Sequence, residues 1–233
     1  ARAKQLSKDW RLGLLAAVFV TFATKMPGYY LSWGRYTLLV GVMILPVAIS
    51  EAVHAWENHD HWWQLVGLSL LTAGTLLSHY FTAFLFVLFL AMLGVQWLVD
   101  TIRNKSANWK QIASAAISSI VGLILVSRWY YRIFAYSTAA SRPVFRVMEP
   151  GTLESAWDYF YYLVGPISGY VLIGFGLIGL FWSAFKTKRV HFQLWAAVVM
   201  FFSLPTGMRL MNFRYDYFAL VFFIPIVITA AFG

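Results

Sequence analysis

The stretch WWQLVGLSLLTAGTLLSHYFTAFLFVLFLAMLGVQWLV, residues 62–99, decides the fold. None of its 38 residues is Lys, Arg, Asp or Glu, and as one α-helix they would measure about 57 Å. The hydrocarbon core of a bilayer is only ~30 Å thick, so a single crossing cannot accommodate that length. The polar centre of the stretch, Ser78-His79-Tyr80, therefore predicts a tight turn between two membrane-spanning helices.

The rest of the chain has the same apolar character. Of 233 residues, 61% are hydrophobic and 12% are charged, whereas a soluble domain carries about 25% charged residues. Because lipid cannot satisfy an open strand edge, we predict helices: an all-α, polytopic integral membrane bundle of about eight transmembrane helices, forming a single domain over residues 1–233. The apolar runs are 10–26, 36–53, 62–78, 81–99, 109–129, 166–185, 190–204 and 218–232.

The ends and the loops of the chain complete this organisation. The sequence opens on Ala1 rather than Met and stops at Gly233 inside an apolar run, so we expect a piece of a longer protein. One long loop, about 131–165, is predicted on the extracytoplasmic side. The chain has no cysteine, which excludes a thiolate nucleophile and Cys-ligated zinc or iron–sulfur centres.

The basic residues indicate orientation and partners. The net charge of +9 comes from residues in short loops between apolar runs, which fits anionic lipid headgroups and not nucleic acid. With the N-terminus in the cytoplasm, six of the seven lysines fall inside, while seven of the eight outer cations are arginine. Arginine grips phosphate or carboxylate in two places, so this separation favours an anion-binding extracytoplasmic face. The alternative is that these arginines only anchor helix ends to headgroups.

Three sequence clusters combine outer arginines with aromatic residues. The predicted phosphate-binding residues are Arg35, Arg128, Arg132, Arg209 and Arg214. Tyr29, Tyr30 and Trp33 would pack on a sugar or a prenyl chain, and His79 at the outer turn could contact a phosphate or relay a proton. Aromatic faces suit sugars and lipid chains, and arginines suit the phosphate that joins them. The pattern predicts a site for a polyprenyl-phosphate-linked sugar.

The outer acidic residues are the candidates for catalysis. Any of them could act as a general base or a metal ligand, and each also has a neighbouring cation that could make it an ion-pair partner instead. They are Glu149, Glu154, Asp158 and Asp216. No cofactor is predicted: a divalent metal is compatible with these carboxylates, but no further ligand supports one.

Several short motifs resemble the multi-spanning GT-C-type glycosyltransferases. They are Trp33-Gly-Arg-Tyr entering a span that closes with Leu45-Pro46, the turn Leu77-Ser-His79-Tyr-Phe-Thr82, and Arg209…Arg214-Tyr before the last span. The resemblance implies an enzyme that takes sugar from a lipid-phosphate donor on the outer face. Such enzymes use an acidic residue in their first extracytoplasmic loop, which has no counterpart here, so catalysis would reside upstream of Ala1.

The sequence thus leaves two functions open. The first is a GT-C-like glycosyltransferase domain in the bacterial inner membrane, with the N-terminus cytoplasmic and a lipid-linked sugar donor as its ligand. The second is a non-catalytic structural or transport subunit, whose arginines meet membrane lipids or other membrane subunits. An acidic pair after an earlier span would favour the enzyme.

Overall fold

The computed structural model describes residues 34, 36–58, 61–105, 108–139 and 190–203, together with positions 167, 171, 174, 177, 178, 181 and 182. Within these residues the only regular secondary structure is α-helix. The helices are α1 Tyr36–Glu57, α2 Trp62–Ser78, α3 Tyr80–Asn104, α4 Trp109–Ala139 and α5 Val190–Ser203. Three segments are long and apolar enough to cross a membrane: Tyr36–Glu57, Tyr80–Asn104 and Trp109–Ala135. The chain is therefore a helical, membrane-embedded protein.

The chain divides into two compact units. One unit is Thr37–Val147, which holds almost all of α1 together with α2, α3 and α4. The other combines Ala1–Tyr36 with Met148–Gly233 and contains α5. Helix α5 has a buried face made of Phe192, Trp195, Ala196 and Val199, the spacing of one side of an α-helix.

The predicted turn in the middle of residues 62–99 is confirmed. Helix α2 ends at Ser78 and α3 begins at Tyr80, and His79 between them has extended backbone angles, φ −161° and ψ 136°. Helix α2 has 17 residues and α3 has 25, which correspond to lengths of about 26 Å and 38 Å. The chain thus resolves the excess length by breaking the helix at its most polar point.

Contacts at glycines give the directions of α1 and α2. A Cβ at Gly41 would stand 2.7 Å from the Ser78 Oγ, and one at Gly67 would stand 3.1 Å from the Glu51 Oε1. The start of α1 therefore lies beside the end of α2, and the end of α1 lies beside the start of α2. The two helices are antiparallel.

Helix α4 runs parallel to α2. A Cβ at Gly122 would stand 2.8 Å from Thr72, and the Tyr130 hydroxyl bonds to Leu76, so both helices advance in the same direction. Helix α3 contacts α2, and its Trp97 bonds to Asn108 just before α4 begins, so α3 runs the opposite way. We call the level of the α2–α3 break the His79 end of this unit, and the level where α3 finishes the Asp100 end.

Two helices are longer than the sequence predicted. Helix α1 extends beyond the predicted run 36–53 to Glu57, and it continues through Leu45-Pro46, where the motif of the GT-C resemblance placed its end. A membrane helix tolerates a proline when only one hydrogen bond is lost. Helix α4 continues to Ala139, so residues 131–139 are helix and not the start of the long loop. No glycine or proline interrupts the chain between Gly122 and Pro143, which explains the extension.

The other predicted spans have mixed outcomes. The runs 62–78 and 190–204 match α2 and α5 closely. The described positions between 167 and 182 are helical, as the run 166–185 requires. The runs 10–26 and 218–232, and the loop beyond Ala139, lie outside the described residues, so the count of about eight helices stays a prediction.

Candidate functional site

The break at His79 is capped by its own side chain. The Phe81 backbone N–H donates to the His79 Nδ1 at 3.2 Å. The His79 carbonyl accepts from the Ala83 N–H at 3.0 Å and from the Thr82 Oγ1 at 2.8 Å. The first N–H groups of a helix have no partner within the helix, and a polar side chain at the N-cap normally supplies one. His79 fills that role; the predicted contact of its side chain with a phosphate stays a prediction.

The other side of the break is completed from α4. The Tyr130 hydroxyl donates to the Leu76 carbonyl at 2.9 Å. In an uninterrupted helix that carbonyl would accept from the N–H of Tyr80, four residues on, but the chain breaks in between. Tyr130 therefore ties α4 to the last turn of α2.

Small polar residues surround the break on the side of α1. The Ser78 Oγ lies 3.3 Å from the Thr82 Oγ1, and the Ser78 hydroxyl also donates to the Thr75 carbonyl at 2.9 Å. Thr75 and Thr82 are fully buried. Gly41 permits α1 to approach because a Cβ there would overlap the Thr82 hydroxyl. The break is thus closely packed on this side and leaves no open space against α1.

Arg128 and Arg132 lie at the His79 end, as predicted, but on a different face from Tyr130. Both are exposed and stand one turn apart on α4. At 100° per residue, Arg128 is about 200° around the helix from Tyr130. Since Tyr130 points to α2, the two arginines point away from α2 and from the capped break. The structure therefore brings His79 and these arginines to one end without making them neighbours on one surface.

The exposed face of α4 that carries the arginines is otherwise apolar. Moving along the helix, it presents Val121 and Leu125, which are 40% and 56% exposed, and then Arg128 and Arg132. These positions follow one another at intervals of four, three and four residues, so they share one side of the helix. An apolar stripe leads directly to a pair of cations.

The remaining predicted site residues lie outside the described part of the chain. They are the binding residues Tyr29, Tyr30, Trp33, Arg35, Arg209 and Arg214, and the acidic residues Glu149, Glu154, Asp158 and Asp216. Their roles stay predictions. Within the described residues, no three His, Asp or Glu side chains come together as metal ligands.

Two residues at the His79 end were not singled out from the sequence. One is Tyr130, which the sequence placed only in an arginine–aromatic cluster. Its contact with α2 fits a series of buried positions on α4: Ser114, Ser118, Gly122 and Val126. These recur every four residues, and Tyr130 is the next member of the series. Thr82 lies one turn after the break. The four-residue spacing of small residues was the available signal.

At the Asp100 end, an aromatic contact closes the turn between α3 and α4. The Trp97 Nε1–H donates to the Asn108 carbonyl at 3.0 Å, and the Trp97 and Trp109 rings lie 4.9 Å apart. Lys105 takes the left-handed conformation with φ 50°, ending α3. Exposed cations at this turn are Arg103, Lys105 and Lys110. Tryptophans beside cations are typical of the membrane interface.

Comparison with known proteins adds no relative to this description. No protein-family model, curated protein or solved structure matches the chain.

Proposed function

We propose that the chain is a GT-C-like membrane glycosyltransferase domain that binds a polyprenyl-phosphate-linked sugar at the extracytoplasmic face. The observation that carries the proposal is the exposed stripe of α4, in which Val121 and Leu125 lead to Arg128 and Arg132. A prenyl chain lying in the bilayer would contact the apolar part, and its phosphate would meet the guanidinium groups at the membrane surface.

The arginines of the stripe can form strong hydrogen bonds with the phosphate of a polyprenyl-phosphate-linked sugar. Bidentate hydrogen bonds from arginine to phosphate are charge-assisted and about twice as strong as neutral ones. Arg128 and Arg132 are one turn apart, which places two such groups within reach of one phosphodiester. The capped break at His79 would hold the neighbouring helix ends in place and so fix the height of the surface at which the phosphate binds.

The proposal also includes topology. The His79 end would face the exterior, and the turn with Arg103 and Lys105 would face the cytoplasm of the inner membrane. Helix α2 has 17 residues, and it would be a fourth crossing because it runs antiparallel to α1 and α3, which lie on either side of it in the chain. The remaining spans, to a total of about eight, would be the runs 10–26, 166–185, 190–204 and 218–232.

The catalytic residues of the proposed enzyme would lie outside the α4 stripe. The GT-C resemblance implies an acidic residue in an extracytoplasmic loop, and the residues proposed here would supply the donor-binding part. Glu149, Glu154, Asp158 and Asp216 are retained as candidates for an acid or base in the outer loops. No metal is needed for donor binding by arginines.

The test measures binding of a polyprenyl-phosphate sugar to the protein in nanodiscs. Each charge-assisted contact contributes roughly 1.5–3 kcal/mol, so Arg128→Ala and Arg132→Ala should each weaken binding at least about tenfold. Arg132→Lys should restore only part of the loss, because lysine keeps the charge but lacks the planar fork. Arg35→Ala should have the same effect as Arg128→Ala if the N-terminal cluster joins this site.

The matched control is Arg103→Ala. Arg103 is also an exposed arginine near a helix end, but it lies at the Asp100 end, so its removal should leave donor binding unchanged. Unchanged binding in the Arg128→Ala, Arg132→Ala double variant would refute the donor-site proposal.

A second candidate function is favoured by the exposed surface of α4. Only 22% of the residues in the most apolar 18-residue stretch of α4 are buried. Large side chains such as Ile117, Ile124 and Trp129 are more than half exposed. A structural or transport subunit would use such a face against another membrane chain. In that case, the arginine variants would bind the lipid-linked sugar as the original does, and lysine would replace Arg132 fully.

A further inference from the structure

Two glutamine side chains of the Asp100 end carry buried oxygen atoms that lack hydrogen bonds. The Oε1 atoms of Gln64 on α2 and Gln96 on α3 are both buried and without a partner. Gln96 is only 8% exposed. Leaving a buried carbonyl oxygen unsatisfied costs about 1–3 kcal/mol, so these two atoms are available to bind a polar or cationic ligand.

The orientation of the Gln96 amide is determined by its neighbour. Its Nε2 donates to the Asp100 Oδ2 at 2.7 Å. An ionised carboxylate can only accept hydrogen bonds, so the amide nitrogen must face Asp100, one turn farther along α3. The other end of the amide is then the oxygen, which is buried without a hydrogen-bond partner.

The two glutamines lie at the same level of the α2–α3 pair. Gln64 stands 15 residues before His79 and Gln96 stands 17 residues after it. At 1.5 Å per residue, these positions are about 22 Å and 26 Å from the break. Because α3 contacts α2 and runs back along it to the start of α4, the two glutamines stand at similar levels of this helix pair.

A carboxylate from α1 reaches the same region. The Glu51 Oε1 lies against Gly67, where a Cβ would stand only 3.1 Å away. Gly67 is one turn from Gln64 on α2, in the direction of the His79 end. Glu51 therefore lies about one helical turn closer to the His79 end than Gln64 does. Glu51 belongs to a segment that can span a membrane, and in the described part of the chain no basic side chain forms an ion pair with it. An ionisable group at such a depth normally has a functional partner.

We propose that Glu51, Gln64 and Gln96, here called the polar layer, bind one monovalent hard cation, with Na⁺ as the best-suited ion. The three donors are oxygen atoms, which hard cations prefer. The single carboxylate balances one positive charge, which removes the cost of an uncompensated charge in a low-dielectric interior. The polar layer is distinct from the proposed donor site, which lies on α4 at the His79 end.

The test uses the purified protein in detergent and follows its thermal unfolding. NaCl is titrated against choline chloride at constant ionic strength, with KCl and CaCl2 as comparisons. Because a ligand that binds only the folded state stabilises it by mass action, the melting temperature should rise saturably with Na⁺. Glu51→Gln and Gln96→Leu should each raise the half-saturating Na⁺ concentration at least about tenfold.

Two further variants keep the test decisive. Gln111→Met removes an amide from the first turn of α4, outside the polar layer, and should respond to Na⁺ as the original protein does. If Gln96→Leu does not fold, Gln96→Glu takes its place: a second carboxylate should shift the preference from Na⁺ towards Ca²⁺.

Three results would overturn the proposal. The first is equal stabilisation by NaCl and choline chloride. The second is a Na⁺ response that persists unchanged in Glu51→Gln. The third is stabilisation by acidification alone, without any Na⁺ dependence, which would show that Glu51 holds a proton and that water serves the two amide oxygens.

Discussion

The Tyr130 hydroxyl donates a hydrogen bond to the Leu76 carbonyl at 2.9 Å, across 54 residues of chain. In a continuous helix this carbonyl would accept a hydrogen bond from the Tyr80 N–H, but the helix breaks at His79. The Tyr130 hydroxyl of α4 is the donor instead. A local interruption of the α2–α3 segment is thereby stabilised by a contact between helices. The geometry of the His79 end depends on this bond.

The first prediction concerns that bond. Tyr130→Phe should lower the free energy of unfolding by about 1 kcal/mol, because it removes the donor and leaves a part-buried carbonyl unsatisfied. Unfolding in a denaturing detergent titration measures the change. Tyr131→Phe is the matched control, since Tyr131 is 75% exposed and its loss should change little. Equal effects of the two variants would contradict the role of Tyr130.

The second prediction concerns the cap at His79. His79→Asn should keep most of the stability, because an asparagine oxygen can accept from the Phe81 N–H as the His79 Nδ1 does. His79→Leu offers no acceptor and should cost about 1 kcal/mol. The same unfolding assay compares the two variants.

The pair also separates structure from binding. If His79→Asn is as stable as the original protein yet binds the lipid-linked sugar more weakly, the imidazole contacts the ligand. If both properties are retained, His79 serves only as the cap. A stable His79→Leu protein would show that the cap contributes nothing.

The third prediction concerns the contact between α2 and α4. A Cβ at Gly122 would stand 2.8 Å from the Thr72 side chain and 3.0 Å from the Ser69 carbonyl oxygen. Because a backbone atom cannot move aside as a side chain does, Gly122→Ala should destabilise the protein by about 1–3 kcal/mol.

Gly94→Ala provides the control for the helix propensity of alanine. Gly94 lies within α3, and a Cβ there would meet nothing within 4 Å. This substitution should stabilise the protein by about 0.5–1 kcal/mol, since alanine restricts the unfolded chain and favours the helix. Two changes of identical chemistry should thus have opposite signs.

The boundary between α2 and α3 could be predicted from sequence because the thickness of the bilayer limits the length of a spanning helix. The excess length of residues 62–99 demanded a break, and the polar residues at its centre located it within one residue of His79. The end of α4 was missed because the loop was inferred from polarity, whereas helices end where glycine, proline or a cap ends them. Neither glycine nor proline occurs between Gly122 and Pro143.

The candidate site was less accessible from sequence than the fold. Sequence spacing placed Arg128 and Arg132 at the same end as His79, but the face of α4 on which they lie follows from which residues pack on α2. That choice depends on Gly122 and its contact with Thr72, which only tertiary packing reveals. The glutamines of the polar layer were hidden for the same reason, since each sits singly within an apolar run.

The last prediction concerns orientation in the membrane. If the lysine-rich side is cytoplasmic, a cysteine replacing Arg132 at the His79 end should react with an impermeant thiol reagent in intact cells. A cysteine replacing Lys105 at the Asp100 end should react only after the cells are permeabilised. Both positions are exposed in the structure, and the chain has no native cysteine to add background.

The physical reason for this expectation is that lysine and arginine in short loops are retained on the cytoplasmic side during insertion. Here six of the seven lysines share one predicted side. Arg103→Cys, in the last turn of α3, checks the Lys105 result and should share its protection. Labelling of Lys105→Cys in intact cells together with protection of Arg132→Cys would invert the orientation and move the α4 arginine pair to the cytoplasmic face, where an extracytoplasmic lipid-linked sugar could not reach it.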